Sequence, residues 1–339
     1  MNQNFQNAIQ RVSQKTPPIW FMRQAGRYHA HYQNLRKQHS FEDLCKVPEL
    51  AAEVARGPVA DFDFDVAILF SDILFPLEGL GTGLKYTDHG PELSSHLTSQ
   101  NIGNLKAPQE AISFMKFQGE AMKLTRKVLP ANKSLIGFVG GLWTLFVYAV
   151  EGSHSGTLIK SKQDPKLFHQ FMEILLPVMK ANIRNQLESG AELVMIFDTA
   201  AGEVSSDFFK AEISNYNVQL SKEFPQQLGY YSRSTQPDFF SEDMLNAPWV
   251  GMGFDHRWNL STAFKMNKTG FVQGNFDQSL FFQEELQFKA TVEKYLQNVK
   301  SISSEARKSW VCALGHGVLP KTPEENVRYF VRRAREVFS

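Results

Sequence analysis

The sequence is short of several things, and each shortage excludes a class of protein. Two cysteines, Cys45 and Cys312, are all that 339 residues carry, and they form no CxxC pair. That pattern reads as a reducing compartment without structural disulfides or zinc clusters. None of the nine histidines stands in an HxH, HExxH or HxC arrangement, so no metal site is expected. No sign of charge dominates: 36 Lys plus Arg oppose 35 Asp plus Glu, a net charge of +1. Without a global field neither nucleic acid nor a membrane surface is an expected partner, and any anion binding must be local. The longest uncharged stretch, residues 135–150, is interrupted by Gly137, Gly140 and Gly141 and falls short of the ~20 residues a spanning helix needs. Residues 1–14 lack the apolar core of a signal peptide. A soluble, cytoplasmic protein is expected.

Cofactor motifs are missing as well. No GxGxxG follows the first apolar run, and Gly152-Ser153-His154-Ser155-Gly156 lacks the lysine of a phosphate loop. No GxSxG elbow announces acyl transfer. Neither a nucleotide cofactor nor acyl-transfer chemistry of the α/β-hydrolase kind is expected.

What is present is a recurring pattern in a chain that is 42% hydrophobic and 21% charged, enough to bury a large core. Short apolar runs at residues 19–22, 66–70, 135–139, 193–197, 228–231, 249–254, 271–273 and 310–314 read as buried parallel strands. Amphipathic stretches lie between them. One carries Leu167, Phe168, Phe171, Leu175 and Met179, opened by Asp164-Pro165 and closed by Gly190. Another opens with Thr322-Pro323-Glu324-Glu325, which reads as a capping box with proline at the first helical position. No linker or low-complexity tract divides the chain. Alternation of this kind over this length predicts an α/β protein, a (β/α)8 TIM barrel, as a single domain over residues 1–339.

Active sites of such barrels lie at the C-terminal ends of the strands, and the residues there are polar. The first run leads into Arg23-Gln24-Ala25-Gly26-Arg27, the second into Ser71-Asp72, the fourth into Asp198-Thr199, the sixth into Asp255-His256, the eighth into Gly315-His316-Gly317. Arg23 and Arg27 flank a small Ala25-Gly26 turn, so two guanidinium forks could approach a polyanion; two surface arginines on an ordinary loop is the other reading of the same spacing. Asp72 follows an apolar run and needs donors or a positive partner at a pocket rim. Its alternative role is to cap the next helix, which Ser71 could do instead. His316 stands between two glycines where backbone can approach a ligand, although most loop histidines are not catalytic.

At these residues the sequence resembles the uroporphyrinogen decarboxylase family. Met22-Arg23-Gln24-Ala25-Gly26-Arg27-Tyr28 is similar to its N-terminal signature. Phe70-Ser71-Asp72-Ile73-Leu74 with Pro76-Leu77-Glu78, Gly137-Phe138-Val139-Gly140 with Trp143-Thr144-Leu145, Tyr148 and Glu151-Gly152, then Phe197-Asp198-Thr199, Gln273-Gly274-Asn275, and Leu314-Gly315-His316-Gly317 come in the family's order. Departures occur too. His29-Ala30-His31-Tyr32-Gln33 replaces a usual Leu-Pro-Glu-Tyr-Arg, Leu142 a usual proline, and Ala200 a frequent tryptophan. Tyr231-Ser232-Arg233-Ser234 lacks a usual glycine, and Phe254-Asp255-His256 stands in place of a usual Asp-Trp.

The resemblance implies a substrate, uroporphyrinogen, whose four acetate arms become methyls as carbon dioxide leaves. It implies Asp72 as the central carboxylate accepting pyrrole N–H bonds, and Arg23 and Arg27 as carboxylate clamps beside Gln24, Ala25 and Gly26. Tyr148, Thr199 and His316 would line the pocket, and Phe70, Phe138 and Phe197 would form an aromatic wall. Asp72, Arg23, Arg27, Tyr148 and His316 are thus the expected catalytic set, with no metal and no cofactor. It also implies a homodimer with facing mouths, and His29-Ala30-His31-Tyr32 together with residues 76–133 is expected to cover or extend the mouth. Two other readings stand beside it. A corrinoid-dependent methyltransferase would need a His-x-Cys pair, but Gly317 and Val318 come after His316; a porphyrinogen-binding protein without catalysis would need the same arginines.

Overall fold

The computed structural model describes residues 1–87, 90–154 and 156–339. Among them are nine strands: β1 (Val66–Ile68), β2 (Leu84–Thr87), β3 (Gly90–Leu93), β4 (Ser134–Gly140), β5 (Val194–Asp198), β6 (Leu228–Ser232), β7 (Gly251–Gly253), β8 (Phe271–Phe276) and β9 (Trp310–Leu314). Seven form one parallel sheet in the order β1-β4-β5-β6-β7-β8-β9. Ile19 closes it. The Cys312 amide donates to Pro18 O at 2.9 Å on one side, and the Asp65 amide donates to Ile19 O at 2.9 Å on the other, with a parallel bridge between Ile19 and Cys312. The result is the TIM barrel expected, its first strand reduced to a single ladder position. The run at 19–22 does not continue as a strand because Gln24 turns it: the Gln24 amide donates to Phe21 O at 3.2 Å, and the Phe21 amide donates to Gln24 Oε1 at 3.2 Å.

Period-2 alternation sorts the strand side chains into two cores. Val66, Ile136, Met195, Phe197, Tyr231, Val250, Phe271 and Val311 fill the barrel interior, while Val194, Ile196, Leu228, Met252 and Val272 pack outward against the helices. Burial of each such side chain contributes about 1.5–3 kcal/mol. A helix at the N-terminus, Gln3–Gln10, is capped by Asn2, whose side chain accepts from the Phe5 amide at 3.1 Å. It presses Phe5 onto Phe271 with ring centroids 5.6 Å apart. The Asn2 amide donates to Ser134 Oγ at 2.8 Å, at the start of β4, so this helix stops the barrel at the end opposite the mouth.

The helix Pro165–Glu188 begins as expected, with Asp164 accepting from the Leu167 amide at 2.9 Å. The last helix, Glu324–Phe338, does not carry the expected capping box: Pro323 is its N-cap with no side-chain cap bond, and the Thr322 hydroxyl is buried without a partner. Proline at the cap moves the first turn one residue past the position Thr322 could reach, and Glu324 instead accepts from the Ala30 amide. Residues between β1 and β4 form the β2–β3 hairpin and helices Pro108–Phe114 and Lys116–Val128. Both cysteines are free and buried, and among the described residues no helix is long and apolar enough to cross a membrane.

Candidate active site

The loops at the C-terminal strand ends enclose a cavity of about 620 Å³. Its wall is built mostly by the segments after Ile19, β1, β4, β5 and β9. Arg23, Ala25, Gly26, Arg27, Phe70, Asp72, Phe138, Tyr148, Phe197, Thr199 and His316 all line it. Gln24, expected among the ligand contacts, does not. It is 1% exposed, and its amide donates to Val66 O at 3.0 Å while its own carbonyl accepts from the Tyr28 hydroxyl at 2.8 Å. Gln24 therefore fastens the arginine loop to β1. That fastening holds Arg23 at a φ of 57°, a left-handed backbone unusual for a side chain of this size. Gly317 packs against Arg23, and a Cβ there would lie 2.6 Å from Arg23 Cδ.

Among the described residues Asp72 is one of two carboxylates in the wall, with Glu42. Asp72 Oδ1 accepts from the Leu74 amide at 2.8 Å, closing a local turn, but the next helix, Phe75–Gly79, has Leu74 as N-cap without a side-chain bond, so neither Asp72 nor Ser71 caps it; the Ser71 hydroxyl accepts from Gln118 Nε2 at 2.7 Å. Burial pushes the Asp72 carboxyl above its usual range, opposed by the Leu74 amide, the neighbouring Tyr86 hydroxyl and the Arg23 guanidinium. A carboxylate so placed gains most from a donor or cation arriving with the ligand. Arg23 and Arg27 form no ion pair among the described residues.

Tyr148 rises from the helix Leu142–Glu151 and is hydrogen-bonded to His154 Nδ1 at 2.9 Å, the two rings stacked at 5.4 Å. Burial and the Asp72 charge raise the Tyr148 phenol, so it stays protonated. His316 is stacked on Tyr231, rings 6.1 Å apart and 2° from parallel, with Nδ1 3.3 Å from the Tyr231 hydroxyl. Burial, then the charges of Arg23 and Arg233, push His316 down to about 3; it meets a ligand as a neutral imidazole with one N–H to give. Phe138 and Phe197, centroids 5.6 Å apart, form the floor, and Phe70 closes one side against Tyr32 at 5.6 Å.

Asp198, at the end of β5, faces away from the cavity. It is fully buried and accepts from the Thr144 hydroxyl at 2.6 Å, the Thr144 amide at 3.0 Å and the Tyr230 hydroxyl at 3.1 Å. It ties the end of β5 to β6 and to the helix Leu142–Glu151, and Thr199 lies in the cavity wall.

A model of the family "Uroporphyrinogen decarboxylase (URO-D)" matches residues 1–337. The chain belongs to the uroporphyrinogen decarboxylase family. Uroporphyrinogen decarboxylase of Carboxydothermus hydrogenoformans is 33% identical, over 100% of this chain and 97% of that protein. The enzymes of Francisella philomiragia and Thermus thermophilus are 31% and 32% identical over 99% and 95% of this chain, and over 99% and 94% of their own lengths. Among solved structures, a methyltransferase from Methanosarcina mazei superposes with a TM-score of 0.79 over 100% of this chain and 99% of its own. At 16% identity that likeness shows the fold alone. Cys312 lies on β9, fully buried with its thiol pushed up by desolvation, and among the described residues no group of three or more His, Cys, Asp or Glu side chains converges.

Against the family pattern, the departure at residues 29–33 proves to be a packing change. His29 is buried, with Nε2 2.7 Å from Asp61 Oδ2, and His31 packs on Gly57 and Glu53. Both histidines thus brace the helix Pro48–Phe62 and do not cover the mouth as expected; of that tetrapeptide only Tyr32 lines the cavity. Arg36, at the end of the helix Ala30–Arg36, stands in the cavity wall, with Nη1 donating to the His39 carbonyl. Arg36, Tyr86 and His154 are wall residues that sequence reasoning did not pick out. Arg36 could have been found, since it sits one helical turn beyond Tyr32 on the same face. Tyr86 could not, because only the β2–β3 hairpin brings it beside Asp72.

Proposed function

We propose that this protein decarboxylates the four acetate arms of uroporphyrinogen III to give coproporphyrinogen III, the tetrapyrrole step of haem biosynthesis, with no added cofactor. The observation that carries the reading is a carboxylate, Asp72, set in an aromatic-walled cavity with Arg23 and Arg27 in its wall and without ion pairs among the described residues. The substrate has matching parts: eight carboxylates outside, four pyrrole N–H groups inside. The arginines and Arg36 receive carboxylates, and Asp72 accepts the N–H groups.

For one arm, a proton adds to the pyrrole ring carbon next to the acetate-bearing carbon, making the ring an electron sink. The bond from the arm's methylene to its carboxylate then breaks, carbon dioxide leaves, and its electron pair neutralises the ring cation. Protonation of the exocyclic methylene gives the methyl, and the ring proton is returned. One proton is consumed per arm. Asp72 stabilises the intermediate cation, where a fixed charge in a dry pocket has its largest effect. Tyr148, Thr199 and neutral His316 hold arms in place, and Phe70, Phe138 and Phe197 exclude water.

Purified protein, treated with a chelator and incubated anaerobically with uroporphyrinogen III, is expected to release four carbon dioxide molecules per substrate. Unchanged substrate by mass spectrometry, or activity restored only by added metal, would overturn the reading. The same reading includes a single domain, a cytoplasmic location and a homodimer; the dimer is checked by light scattering and activity over one dilution series, and full activity as a monomer at high dilution removes it.

A further inference from the structure

A second, smaller cavity of about 160 Å³ opens on the other side of His316, walled by Arg233, Asp255, His256, Arg257, Asp277, Gln278 and Ser279. These residues come after β6, β7 and β8, the strand ends that contribute nothing to the larger cavity. His316 and the Gly315 carbonyl, held by the Tyr231 hydroxyl at 2.7 Å, form the partition.

Charges here differ in pairing. Arg257 is neutralised by Asp255 at 2.7 Å, and Asp255 also accepts from the Ser234 amide at 2.7 Å. Arg233 has no ion pair or side-chain hydrogen bond among the described residues. Two polar atoms on the same wall, His256 Nδ1 and Gln278 Oε1, are buried without a partner. The two carboxylates of the wall are already engaged, Asp255 by Arg257 and Asp277 Oδ1 by the Ser279 amide and hydroxyl at 2.9 and 2.7 Å, so the Arg233 guanidinium is the charge left for a ligand, and it selects an anion. The field of Arg233 reaches both His316 and His154, depressing each, so the guanidinium acts on both cavities. The space exceeds what one water needs by far and suits a short carboxylate chain.

We propose that this pocket is a subsite for one propionate arm of the porphyrinogen, received by Arg233 and His256 while the macrocycle occupies the larger cavity. This rests on the function proposed above. Chemistry favours a propionate over an acetate here: arms that react must stay on the Asp72 side of His316, so an arm seated against Arg233 is one that is retained.

Calorimetry under reducing, anaerobic conditions with coproporphyrinogen III, which keeps four propionates and has no acetates, tests the proposal. Arg233→Gln is expected to weaken binding roughly tenfold, the size of a charge-assisted contact at a partly exposed site, and Arg233→Lys to retain most of the affinity. In turnover, KM for uroporphyrinogen should rise by a similar factor with kcat nearly unchanged. Equal affinity of the wild type and Arg233→Gln would overturn the subsite and leave the decarboxylase reading intact. Equal loss in the Lys and Gln variants would overturn the electrostatic assignment. Bicarbonate titrated alone separates a substrate arm from released product: a bicarbonate signal abolished by Arg233→Gln, with coproporphyrinogen affinity unchanged, would also overturn the proposal. A wild type that binds no coproporphyrinogen would overturn both readings together.

Discussion

Around Ile19, β1, β4 and β5 the barrel mouth leaves its cations free: Arg23 and Arg27 face a cavity of about 620 Å³ without ion pairs among the described residues. Around β6, β7 and β8 the same residue types are largely spent on one another, Arg257 on Asp255 at 2.7 Å and His256 near Asp277 at 3.9 Å, and the cavity is about 160 Å³. Unpaired charge is costly to keep in a folded protein unless a ligand completes it. On the reading proposed above, the first half receives a polyanion and the second a single group. His316, neutral and stacked on Tyr231, divides the two.

This contrast can be broken most severely at Asp72. Asp72→Asn removes the charge with little change of shape, and kcat is expected to fall by roughly 10²–10³, with affinity for coproporphyrinogen changed far less. Steady-state kinetics beside equilibrium binding checks it, and unchanged kcat would remove Asp72 from the chemistry. Next in size, Arg23→Gln is expected to raise KM by roughly 10–100-fold, the range for hydrogen bonds to a charged group, whereas Arg257→Gln, whose partner is already Asp255, should raise it much less. Similar KM increases would erase the distinction between the halves.

Gln24→Ala should cost about 1–3 kcal/mol, because it leaves Val66 O and the Phe21 amide without their partner in a buried place; urea denaturation measures it, and an unchanged midpoint would contradict the fastening role. The smallest effect concerns the partition. His316 is pushed down to about 3 from 6.5, so the stability it confers is present above pH 6.5 and is lost as pH falls toward 3. Arg23, Arg233, His154 and His256 oppose its protonation from both cavities. The urea midpoint of the wild type should therefore drop more between pH 7 and pH 5 than that of His316→Asn, and parallel curves would contradict it.

Much of the barrel was legible in the chain. The apolar runs at 66–70, 193–197 and 310–314 contain β1, β5 and β9, because a buried parallel strand needs little beyond continuous apolar residues, although β1 extends only over Val66–Ile68. The run at 19–22 looks the same yet forms one bridge, since the residue that stops it, Gln24, acts through a bond to β1 that no local pattern reveals. Thr322 misled for a related reason: its motif was correct in composition, but Pro323 takes the cap position and the first turn begins at Glu324, past the reach of the Thr322 hydroxyl. At the site, Arg23, Asp72 and His316 were readable because strand ends mark the mouth. Tyr86 and Arg233 were not, as one arrives on a hairpin between β1 and β4 and the other gains meaning only from the unpaired state of its neighbours. His154 stood in a glycine-serine stretch that matched no motif, and its bond to Tyr148 is a product of the turn at Gly152, where φ is 81°.

The division of labour between the halves is tested most directly by a crystal structure of the protein with coproporphyrinogen III bound under anaerobic conditions. The account predicts the macrocycle in the larger cavity, its pyrrole nitrogens at about 2.7–3.2 Å from the Asp72 carboxylate, propionates on Arg23 and Arg27, and one propionate past His316 against Arg233. A macrocycle whose N–H groups make no contact with Asp72 would contradict it.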